Sequence, residues 1–99
     1  MLESLTSHDF NPLLEQTFRL HHQPGQPPLE VTLVEVVEFG PEPPAGGRQP
    51  FSLVFRGPLS PVLPQRIYPL EHPMLGALEI FIVPLGPEQG GVRYQVIFS

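Results

Sequence analysis

Apolar side chains recur at every second position along much of this chain, and the places where that alternation starts, slips and stops outline a series of short strands. Phe18 and Leu20 alternate with Arg19 and His21, which predicts a half-buried strand over residues 17–22. After a Pro/Gly-rich reversal at 23–28, Leu29, Val31 and Leu33 resume the period, but acids then fall at Glu35 and Glu38, so the phase slips near Val34 to Val37. A β-bulge is the simplest cause, and a long strand with one such slip is what a strongly coiled sheet needs in order to bend. Phe51, Leu53 and Phe55 against Ser52, Val54 and Arg56 give a strand that stops at Gly57-Pro58.

A fourth strand is read from Arg66 to Glu71, with Ile67 opposite Tyr68 and Leu70. Pro69 inside it argues for an edge or a bulge, because proline has no N–H to give to a ladder. His72-Pro73-Met74-Leu75-Gly76 has proline early and glycine late, as a tight turn prefers, and should join two antiparallel partners. From Ala77 to Leu85 both faces are apolar, with Leu78, Ile80 and Ile82 on one, Phe81 and Val83 on the other, and only Glu79 interrupting. Such a strand is either covered on both sides within its own domain or half covered by another subunit. The last strand sets Val92, Tyr94, Val96 and Phe98 on one face and Arg93, Gln95 and Ile97 on the other.

The only helix candidate lies at the start. Thr6 can cap a first turn with Asp9 three residues on, Leu5, Phe10, Leu13 and Leu14 form its apolar side, and Pro12 limits it to a turn or lets a second turn begin. The expected fold is therefore all-β: a small closed or partly open barrel, or rolled sandwich, of about six mostly antiparallel strands with a short N-terminal helical turn plugging one end. Residues 1–99 are expected to form one such domain. Leu53, Phe55, Ile80 and Ile82 are the expected deepest core.

Composition changes this picture in three ways. Proline (15) and glycine (9) are abundant enough to raise the question of disorder, but they gather between the strands as turns. Residues 41–50 read as a long surface loop, whereas 57–65, with Pro58, Pro61 and Pro64 every third residue, read as an ordered crossover because Leu59, Val62 and Leu63 would be wasted on a solvated linker. Cysteine is absent and all five basic residues are arginine, which removes disulfides, thiol nucleophiles, Schiff-base lysines and the P-loop lysine. A net charge of −5 lacks the electrostatic footprint that nucleic acid or an anionic membrane requires, so neither is expected as a partner. The start Met1-Leu2-Glu3-Ser4 has no basic export region and Ile80 to Leu85 is too short an apolar run to span a bilayer, so a cytoplasmic location is expected.

Candidate chemistry is sparse. His21 and His22 are neighbours on a strand and should leave opposite faces, His8 lies in the helical cap and His72 in a turn, so no metal site is expected. Ser7, Ser52, Ser60, His8, His72, Asp9 and Glu71 supply the residue types of a hydrolase triad without its spacing, and Asp9 has a sufficient role as a cap partner. Glu30, Glu35, Glu38, Glu71 and Glu79 alternate along strands, which marks a wet face rather than a glycosidase pair. The glycines of 86–91 join two strands and open no helix, so they cradle no phosphate. Neither catalytic residues nor a cofactor are expected.

What is left is surface for protein contact. Arg48, Arg56, Arg66, Tyr68 and Tyr94 are the candidate partner-binding residues, since Arg and Tyr are favoured in interfaces. The competing reading pairs Arg56 and Arg66 with nearby strand carboxylates. The expected role is a non-enzymatic interaction or structural accessory module with a protein partner or further copies of itself, using a sheet edge and the loops at 40–50 and 86–91. The alternative is a small-ligand or metal-binding barrel using His21, His72 and neighbouring carboxylates.

The succession Leu5-Thr6, Asp9-Phe10, Pro12-Leu13, Phe18-Arg19-Leu20, Pro50 to Pro58, Tyr68 to Pro73, Leu75-Gly76, Phe81 to Gly86 and Tyr94 to Phe98 resembles a family of small uncharacterised bacterial proteins across nearly the whole chain. That resemblance implies a compact domain with no catalytic residues to carry over. It also implies an association with phage-tail-like collar and tail proteins.

Overall fold

A computed structural model describes residues 4–43 and 47–98. One helical turn, α1 (Ser7–Phe10), and a 3-10 turn at Asn11–Leu13 precede six strands: β1 (Thr17–Leu20), β2 (Leu29–Glu38), β3 (Phe51–Gly57), β4 (Arg66–His72), β5 (Gly76–Glu88) and β6 (Gly91–Phe98). They close into an antiparallel barrel in the order β1-β2-β3-β6-β5-β4. Every chain-adjacent pair but one is hydrogen-bonded; the exception is β3 to β4, which stand three places apart in either direction round the closed barrel and are joined by the connection at 58–65.

The phase slip in β2 is a register shift against β3 between Leu33 and Glu35. Before it Val31 and Leu33 point inward and are fully buried, and after it Glu35 and Glu38 remain exposed. The bulge thus lets β2 pair with both β1 and β3 while keeping its acids in water. β5 does the same on the opposite wall, pairing with β4 through Gly76–Ile82 and with β6 from Val83 onward.

The interior is filled by alternate side chains. Leu53 and Ile82 are fully buried and Phe55 and Ile80 nearly so, as their alternation predicts. At one end Asp9 Oδ2 accepts the Thr6 backbone N–H at 2.8 Å, so α1 begins where the capping residues predict. This turn plugs the barrel with Phe10, whose ring lies 5.8 Å from Phe51 and 5.5 Å from Phe98. Leu13 follows it into the core, but Leu14 stays exposed.

Several expectations are corrected. β1 ends at Leu20 rather than at residue 22, and Pro69 lies neither at an edge nor in a bulge but in register with Glu79. The His21 N–H still donates to the Pro69 carbonyl at 3.0 Å, so the bond that Pro69 cannot return falls where β1 stops, and costs the ladder little. Of the crossover's apolar residues only Leu63 is buried, while Leu59 and Val62 face solvent. The loop at 41–50 is tied at its ends by Phe39 N–H to Pro50 O at 3.0 Å and by Gln49 Nε2 to Gly40 O at 3.1 Å; its residues 44–46 lie outside the described residues.

Candidate interaction surface

The five residues expected at a partner surface are placed in three different environments. Tyr68 and Tyr94 are buried in the barrel, which corrects their reading as surface contacts. Their alternation with inward neighbours sends each ring inside, and each hydroxyl is used there: Tyr94 Oη accepts the Leu63 N–H at 3.0 Å and Tyr68 Oη donates to the Pro64 carbonyl at 2.6 Å. Burial pushes the Tyr68 phenol above its ordinary range, with Arg66 acting against that shift and Tyr94 with it. Arg48 is turned inward too, donating to the Leu5 carbonyl at 2.8 Å and lying over the rings of Phe51 and Phe98.

Arg56 and Arg66 remain on the outside, and neither makes an ion pair with a carboxylate among the described residues. Arg93 has that role instead, with its guanidinium 3.8 Å from Glu35 and its Nε 3.1 Å from Glu88. It therefore spans from β2 to β5 across β3, where Val54, in register with Glu35 and Gln95, is almost fully covered despite its outward position. Its charge on β6 was visible in the sequence, as was Glu88 across the same hairpin, but Glu35 comes from the distant β2.

The histidines divide between surface and core. His21 Nε2 lies 3.1 Å from Glu71 Oε1 with both side chains exposed. His72 is buried with its ring centroid 4.6 Å from that of Phe18. The Met74 N–H donates to His72 Nδ1 at 3.0 Å, so that nitrogen is an acceptor and Nε2 carries the hydrogen given to Gln16 Oε1 at 2.8 Å. Nδ1 thus helps organise the turn into Gly76, where φ is +74° and only glycine is unstrained, while Nε2 ties the end of β4 to the segment ahead of β1. No group of three or more His, Asp or Glu residues is arranged to hold a metal ion among the described residues.

Beside this turn, a shallow cleft of about 530 Å³ is lined by Thr17, Arg19, Glu30, Glu71 and His72. Arg19 stands in register between Glu30 on one side and Glu71 on the other, an alternation of sign that leaves no isolated charge. Ser52, the serine considered with His72, sits on the outer face of β3 in register with Val37 and Ile97, while His72 is inside at the end of β4. These two cannot act as nucleophile and base. Ser7, another such serine, is buried and donates to Glu38 Oε2 at 2.6 Å.

The outer wall carries the feature that sequence reasoning did not assemble. Val37, Ile97, Phe81 and Ile67 are exposed by 42, 58, 49 and 60%. Val37 and Ile97 flank Ser52 in register, and Ile67 is the registered partner of Phe81. The four side chains thus form two outward apolar pairs, Val37 with Ile97 across β2, β3 and β6, and Ile67 with Phe81 across β4 and β5. Ile67 and Ile97 were legible as outward positions; how the four are paired depends on strand order.

Residues 5–98 match a domain of unknown function (DUF6916). No curated protein matches the chain. Nor does any solved structure.

Proposed function

We propose, from the premise that this chain belongs to the DUF6916 family of domains of unknown function, that it is a non-enzymatic interaction module. It serves as a structural accessory part of a larger assembly. The observation that carries this reading is the two outward apolar pairs, Val37 with Ile97 and Ile67 with Phe81, on a barrel whose core is already complete. Exposed apolar residues grouped in this way mark contact sites, whereas apolar residues scattered singly do not. The polar features support the same reading, because the charges of Arg19 and Arg93 stand beside carboxylates of neighbouring strands and do not converge on a reacting centre.

The setting we propose is a cytoplasmic, phage-tail-like assembly of bacterial origin, which the resemblance of the sequence supports. A photoreactive residue placed at Phe81 in the native host should give a discrete protein adduct that Ile67→Thr abolishes, while the same probe at Glu30 gives none. Equal, diffuse labelling from both positions would count against the reading.

A further inference from the structure

The backbone of β5 beside the Ile67–Phe81 pair is itself unpaired on one side. His21 N–H donates to the Pro69 carbonyl, so the polar backbone groups of Pro69 face β1. In an antiparallel ladder successive residues turn these groups to opposite sides, so those of Tyr68 and Leu70 face β5, and those of their partners Ile80 and Leu78 face β4. The N–H and C=O groups of Ala77, Glu79 and Phe81 must then point away from β4. β6 takes that side of β5 only from Val83 onward, and among the described residues no strand is registered there against Gly76–Ile82. The side chains of Ala77, Glu79 and Phe81 are all exposed, so solvent reaches this stretch.

We infer that this edge of β5 accepts an extended segment of a different protein as an added strand, apolar where it lies beside Phe81 and basic where it lies opposite Glu79. Strand addition satisfies the free backbone groups, and alternate side chains confer the specificity. Glu79 is the one charge on β5 between Gly76 and Val83 and the chain carries net charge −5, so a cation opposite it is the complementary choice. A second copy does not fit. β5 holds no basic residue, and antiparallel pairing of two copies centred on Glu79 would oppose two carboxylates.

This inference rests on the interaction reading above and names how the partner binds. The test uses the full chain, labelled for amide hydrogen exchange, and two synthetic peptides of alternating valine and threonine with a central lysine or a central glutamate. In the free protein the amides of Ala77, Glu79 and Phe81 should exchange at least about tenfold faster than those of Leu78 and Ile80. The lysine peptide should slow these three by about tenfold or more and the glutamate peptide should not. Glu79→Pro removes an N–H that gives nothing to β4, and should abolish that slowing with the fold retained, whereas Glu79→Lys should exchange the preference between the peptides. The inference is overturned if the three amides are already protected in the monomer, if raising protein concentration alone protects them, or if neither peptide slows them. A Phe81 adduct that persists unchanged in Glu79→Pro would leave the interaction reading standing and remove the edge from it.

Discussion

The hydroxyl of Tyr94, a fully buried residue of β6, accepts the backbone N–H of Leu63 at 3.0 Å and so fastens the crossover from β3 to β4 to the barrel. Leu63 is the one apolar residue of that crossover that enters the core, and its N–H has no water to turn to. Tyr94→Phe keeps the ring and strands the donor, which should cost about 1–3 kcal/mol. Urea unfolding of the variant against the parent measures this directly, and an unchanged midpoint would show that the crossover is not held by that bond.

Tyr68 gives the fold a dependence on alkaline pH. Its phenol is raised above 10.0 chiefly by burial, so the folded state keeps the proton more tightly than the unfolded chain does. The stabilising contribution is complete below the unfolded value and is lost as pH rises through the folded one. Denaturation midpoints should therefore fall above about pH 10 in the parent, and fall less steeply in Tyr68→Phe, where no phenol titrates at that position.

Gly91 is buried where the β5–β6 hairpin closes against the end of β3. A Cβ there would land on the Gly57 carbonyl oxygen and meet Arg56 Cγ at 3.0 Å. Since the obstacle is backbone, the hairpin must shift, and Gly91→Ala should destabilise by about 1–3 kcal/mol. Gly25→Ala meets no atom within 4 Å and serves as the control, with only the strain of its positive φ to bear.

Arg48 connects the loop before β3 to the N-terminal plug through the Leu5 carbonyl and the faces of Phe51 and Phe98. Losing a charged hydrogen bond and a cation–π contact together should cost Arg48→Ala about 2 kcal/mol. Arg48→Lys should recover only part of it, because an ammonium lacks the flat face that lies over the rings. Thermal melting of the three proteins orders them.

The strands and the bulge were readable because each is written locally. Phe51, Leu53 and Phe55 alternate whatever they pair with, and the shift from Val31 and Leu33 to Glu35 and Glu38 marks a change of phase without reference to a partner strand. The interaction surface was only half readable. Tyr68 and Tyr94 were assigned to the surface on residue type, yet their positions in the alternation already placed them with Leu70 and Val96 inside. Ile67 and Ile97 stood at outward positions in the sequence, but nothing local says that Ile67 is paired with Phe81 or that Val37 flanks Ser52 opposite Ile97.

Alternation and turn residues alone determined a barrel-forming set of six strands with a capped helical turn, since side-chain period and backbone permissiveness are properties of neighbouring residues. Strand order, the approach of Glu35 to Arg93, the tyrosine fastening of the crossover and the unpaired side of β5 were decided only by tertiary structure. Each of these depends on which distant segments meet, and hydrogen bonding and burial select that only when the sheet closes.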